Sequence, residues 1–110
     1  MASQRIPQLR EGPDTLDKLW VHGVTLDDAF DVEEIAPELF RQKAKLVLRR
    51  DGTSYRQPAR LKILGPNRGG RLLTLIVEYP DSQNQSTIVT GYWSSSGEQS
   101  AYHQRRGGNR

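Results

Sequence analysis

Few side chains in this chain are equipped for covalent chemistry, because it has no cysteine and only two histidines, His22 and His103. Disulfides, thiolate metal sites and a cysteine nucleophile are therefore excluded, and two imidazoles fall short of a zinc site. What remains is acid–base and electrostatic chemistry without a metal or cofactor. Breaking an RNA phosphodiester that way takes a base for the 2′-OH proton, cations for the crowded phosphorane and an acid for the leaving oxygen. Arg71 supplies a cation beside the Gly69-Gly70 turn. Arg60 and Lys62, expected on the strand paired with it, are placed to join Arg71 on one phosphate. Glu98 and Tyr102 are four residues apart and would offer a base and a proton donor from one helix face. His22, expected at a helix C-terminus, is placed where its protonated form is favoured.

Each candidate also has a plain structural use. The three cations suit a solvated sheet face, Glu98 suits a capping box, Tyr102 suits packing against a sheet, and His22 suits a helix end. Tyr92 and Trp93 are adjacent on an expected strand, so they point to opposite faces. Core packing suits Trp93, while an exposed Tyr92 flanked by cations would stack an unpaired base. His103, Arg105, Arg106 and Arg110 add phosphate contacts without sequence choice.

The net charge of +3 conceals a division: residues 1–42 carry a net −5 and residues 43–110 a net +8. Such asymmetry points to a polyanionic partner, provided the downstream cations gather on one surface. Mutual attraction between an acidic helical layer and basic strands is the alternative. Mean hydropathy of −0.72 implies a thin core with long solvated loops. No apolar run reaches the length of a signal peptide or a membrane span, so a cytoplasmic location is expected.

These residues need elements to hold them. Leu16, Leu19 and Trp20 predict an apolar helix face over 14–22, closed by Gly23. A second helix, 25–35, is capped by Thr25, carries Asp27 and Asp28 in its first turn, and buries Leu26, Ala29 and Phe30. Four strands follow at 44–49, 60–64, 72–79 and 87–93, the second and third joined by the turn at 67–70. Leu72 to Val77 is apolar on both faces, which predicts a central strand. Ser95 and Glu98 have capping-box spacing and begin a last short helix.

Three segments resemble the BrnT-type toxins of the RelE-like ribonuclease superfamily. They are Lys18-Leu19-Trp20-Val21-His22-Gly23-Val24-Thr25 with Asp27 and Asp28 after it, Gly70-Arg71-Leu72-Leu73 continuing to Val77, and Ile88-Val89-Thr90 leading through Glu98 to Tyr102. The likeness spans about residues 14–106. It implies an α+β fold with two N-terminal helices, an antiparallel four-stranded meander and a short C-terminal helix packed on the sheet. Residues 1–13 would be an extended arm, 14–106 a single domain and 107–110 a flexible basic tail. The resemblance further implies the toxin of a type II toxin–antitoxin pair, a metal-independent endoribonuclease acting on RNA and neutralised by a cognate antitoxin. The chain departs from the family's pattern in one respect: Thr90-Gly91-Tyr92-Trp93-Ser94 stands where such chains present an arginine. That departure favours the alternative, a non-catalytic module using the same surface to bind nucleic acid or protein.

Overall fold

A computed structural model describes residues 6–42, 45–57 and 60–107. The described elements run β1 (Gln8–Glu11), α1 (Thr15–Val21), α2 (Leu26–Ile35), β2 (Glu38–Gln42), β3 (Lys45–Leu48), β4 (Ser54–Gln57), β5 (Arg60–Pro66), β6 (Leu72–Val77), β7 (Gln85–Trp93) and α3 (Ser96–Arg105). Five strands form a mixed sheet in the order β1-β7-β6-β5-β2, and β3 and β4 form a separate two-stranded ribbon.

This overturns the expected pair of helices followed by a four-stranded antiparallel meander. The chain enters the sheet before either helix, and β1 lies parallel to β7, with Gln8 opposite Gln85 and Glu11 opposite Ile88. Four residues with one apolar member, between Pro7 and Pro13, carry too little pattern to announce a strand; tertiary pairing makes them one. The strand expected at 44–49 is also corrected. Residue 44 lies outside the described residues, 45–48 form the ribbon strand β3, and Glu38–Gln42 is the strand that joins the main sheet. Its single buried residue, Leu39, gave no alternation long enough to read.

β6 is the middle strand, and each of its residues from Leu73 to Val77 is buried. Leu73, Leu75 and Val77 face α1 and α2, where they pack with Leu19, Ala29, Val32, Ile63 and Ile88. Full burial of each large aliphatic side chain is worth about 1.5–3 kcal/mol, so this layer is the main stabilising one. A bulge in β7 leaves Val89 unpaired between the pairs Ile76–Thr90 and Val77–Ile88. The extra residue turns Ile88 inward on the same side as Gly91 and Trp93.

α1 lies beside β7 beyond the point where β1 ends. The Thr15 hydroxyl donates to the Ile88 carbonyl at 2.7 Å, and the Leu19 side chain sits where a Cβ on Gly91 would be. Only the Thr15–Leu19 line of this short helix faces protein. Leu16 and Trp20, expected in the buried stripe, are 54% and 78% exposed. Gly23, at φ +70°, closes the helix, and the Val24 N–H returns to the Leu19 carbonyl. In α2 the fully buried residues are Ala29 and Val32; Leu26 and Phe30 are half-buried against them.

α3 covers part of the opposite face of the sheet. Both sheet edges are blunted by side chains from the helices. Glu33 of α2 accepts the outward Leu9 N–H at 2.9 Å, and Arg105 of α3 donates to the Leu39 carbonyl at 2.6 Å. The β2–β5 and β3–β4 ladders share one register, since Gln42 faces Arg60 and Lys45 faces Gln57.

Candidate nucleic-acid interface

Glu98 is the hub of the α3 face. Ser95 and Glu98 make the capping box that their spacing announced, each bonding the other's backbone N–H. The carboxylate then takes three more donors. Oε2 accepts from Lys62 Nζ at 3.0 Å and from the Tyr92 hydroxyl at 2.7 Å, and Oε1 accepts from Thr74 Oγ1 at 3.2 Å. Burial raises the Glu98 carboxyl, but the Ser95 N–H, Tyr92 and Lys62 outweigh that and hold it at about 2. Such a carboxylate is a feeble proton acceptor at neutral pH. Burial, and next the bond to Glu98, push the Tyr92 phenol well above its ordinary range.

The structure thus brings Lys62, Tyr92, Glu98 and His22 together. The His22 ring meets Tyr92 edge-on at 6.1 Å, from the end of α1. It does not bring Arg71 to them. The Arg71 guanidinium lies 4.0 Å from the Trp93 ring centroid, and Trp93 pairs with Leu73 on the α1–α2 side of the sheet. Lys62 pairs with Ile76, one residue out of phase with that side. The sheet therefore separates Arg71 from Lys62, and the expected convergence of the two with Arg60 on one phosphate does not occur.

Tyr102 is buried, and its hydroxyl donates to the Ala36 carbonyl at 2.7 Å, tying α3 to the loop after α2. Arg71, Tyr102 and His103 do line one shallow cleft of about 380 Å³. Two of the three are already committed there, Tyr102 to Ala36 and Arg71 to Trp93. Tyr92 is spoken for by Glu98, so it is no free stacking platform. Trp93 is half-buried against the core.

The downstream cations divide rather than merge. Lys62 is paired with Glu98, Arg68 with Asp31 at 3.5 Å and Arg106 with Glu38 at 3.0 Å. Arg105 lies 4.0 Å from the centre of the Phe40 ring, and Arg49 4.4 Å from that of Tyr55. Arg110 is outside the described residues. Arg41, Arg50, Arg56 and Arg60 have no hydrogen bond, ion pair or ring contact among the described residues. All four belong to the chain from β2 to β5.

Sequence reasoning singled out only Arg60 of these four. The run Arg49-Arg50-Asp51-Gly52, two cations on a turn signal, was the available clue to a basic hairpin tip. Asp51 does not neutralise that tip by contact, since its Oδ1 accepts from the Thr53 hydroxyl and N–H.

Beside this hairpin, a groove of about 350 Å³ opens between β2 and α3. Phe40 and Leu64 supply apolar surface from the sheet, and Gly97 and Ala101 supply it from successive turns of the helix. The Lys62–Glu98 pair and the β2 residues Arg41 and Gln42 complete the lining. Among the described residues, no cluster of three or more His, Asp or Glu side chains is placed to hold a metal ion. No described helix is long and apolar enough to cross a membrane.

No family model, curated protein or solved structure matches the chain, and so nothing in those comparisons identifies a BrnT-type toxin.

Proposed function

We propose that this chain binds RNA through phosphate contacts and does not cleave it. One observation carries the reading: the arginines without a partner among the described residues, Arg41, Arg50, Arg56 and Arg60, all fall in the stretch from β2 to β5. The intended base, Glu98, is meanwhile saturated with donors and held at about 2. Guanidiniums on strands and a turn, with no partner among the described residues, are suited to phosphate oxygens, and their attraction is independent of sequence. Such a protein would work where RNA is, in the cytoplasm.

Fluorescence anisotropy with a labelled single-stranded RNA at two salt concentrations tests this. Affinity should fall steeply with salt, and Arg50→Ala/Arg56→Ala/Arg60→Ala should reduce the slope of log K against log salt by roughly 0.7 per arginine lost. The RNA should emerge intact. Salt-independent binding, an unchanged slope in the triple variant, or cut RNA would each reject the proposal.

A second reading has its own observation. On the β3–β4 ribbon Leu46 and Leu48 are 66% and 77% exposed, on the side that also carries Arg56. Apolar residues among unpaired cations suit an acidic protein partner, which is what a cognate antitoxin would be. Leu46→Ser/Leu48→Ser should abolish co-purification with the product of an adjoining reading frame. Retained co-purification would reject this docking face.

A further inference from the structure

The groove between β2 and α3 has a composition that the phosphate contacts do not require. Its volume of about 350 Å³ falls in the range of roughly 300–1,000 Å³ found for small-ligand sites. Apolar surface comes from two opposed elements, the sheet with Phe40 and Leu64 and the helix with Gly97 and Ala101. A Cβ added to Gly97 would meet nothing within 4 Å, so the helix side is open where a larger residue would close it. A flat, apolar-faced group suits such a slot; the Arg105 guanidinium lies over one face of the Phe40 ring, so Phe40 contributes an apolar wall rather than an open stacking face.

The polar end selects further. Lys62 spends one of its three donors on Glu98 and makes no other hydrogen bond among the described residues. Both Glu98 oxygens already accept two hydrogen bonds each. The Lys62–Glu98 pair therefore offers donors and no acceptor. Guanine presents two neighbouring acceptors, O6 and N7, on one edge, whereas adenine places an amino donor beside N7. Outside the slot, Arg60 is the strand partner of Gln42, on the face that carries Phe40 and Lys62; it has no partner among the described residues and suits a flanking phosphate.

We infer that the β2–α3 groove receives a single unstacked guanine of single-stranded RNA, packed between the Phe40–Leu64 wall and the Gly97–Ala101 side of α3 and read by Lys62 through O6 and N7. This rests on the RNA-binding reading and names the part of the ligand that the groove takes.

The test uses three labelled decaribonucleotides, all-uridine, uridine with one central guanosine, and uridine with one central adenosine, plus a ten-base-pair RNA duplex, with the full chain. The guanosine oligomer should bind about tenfold more tightly than the other two and more tightly than the duplex. Gly97→Leu, and separately Ala101→Leu from the next turn, should erase that preference while leaving the salt dependence of binding unchanged. Circular dichroism and thermal melting confirm that both variants fold. Salt-sensitive binding that ignores the central base and is untouched by both variants overturns the guanine site but leaves the phosphate-binding reading standing. No binding to any of the four RNAs at low salt overturns both.

Discussion

Replacing Glu98 by Gln removes one charge and no volume, and the structure sets how much stability should go with it. The glutamine oxygen can still accept from the Ser95 N–H and from Thr74. Its amide nitrogen can donate to the Tyr92 hydroxyl but cannot accept from Lys62, so the bond from an ammonium whose side chain is only 27% exposed is lost. At about 1.5–3 kcal/mol for a charged bond, with a donor-rich amide left facing the ammonium, the cost is at the upper end, about 3 kcal/mol. The carboxyl itself gives an independent figure. Its fall from 4.5 to about 2 on folding is also worth about 3 kcal/mol at neutral pH. In a domain of this size that corresponds to a melting temperature lower by about 10 °C.

The pH dependence has a definite sign. The folded value lies below the unfolded one, so the stabilisation is complete above about pH 5 and disappears as pH falls through the folded value near 2. Urea denaturation of wild type and Glu98→Gln at pH 7 and pH 2.5 should therefore show a gap of about 3 kcal/mol shrinking below about 1. A gap under about 0.5 kcal/mol at pH 7, or one that persists undiminished at pH 2.5, would refute the account of Glu98 as a saturated structural anion.

Two further substitutions probe the packing. Gly91→Ala would place a Cβ 2.8 Å from Leu75 Cδ2 and 2.9 Å from Leu19 Cδ2, both in the tightly packed layer, and should cost about 1–3 kcal/mol in urea denaturation; a neutral effect would show that α1 is free to shift away from β7. Tyr102→Phe deletes only the bond to the Ala36 carbonyl and should cost about 1 kcal/mol with RNA affinity unchanged. Loss of affinity in a stably folded Tyr102→Phe protein would return that hydroxyl to the binding surface.

Local signals announced much of the framework. Thr25 with Asp28 and Ser95 with Glu98 form their capping boxes, because such caps depend on residues three apart and on little else. The turn at 67–70 joins β5 to β6, and the run from Leu72 to Val77 lies at the centre of the sheet, since a strand apolar on both faces has to be covered on both. Other features had no local signature. β1 exists through its pairing with residues 85–88 of β7. The exposure of Leu16 and Trp20 follows from α1 lying beside a strand edge, which narrows its buried side to the Thr15–Leu19 line.

The chemistry divides the same way. Sequence alone was enough to exclude thiol chemistry and disulfides, to show the opposite charge of the two halves and to mark Glu98 as a helix cap. Tertiary structure decided which charges remain available. It put Arg71 across the sheet from Lys62, seated Lys62 and Tyr92 on Glu98, and left Arg41, Arg50, Arg56 and Arg60, between β2 and β5, without partners among the described residues. The reason is range: a cap or a turn is settled within a few residues, whereas the pairing of a charge depends on which distant side chain the completed sheet sets within about 3 Å of it.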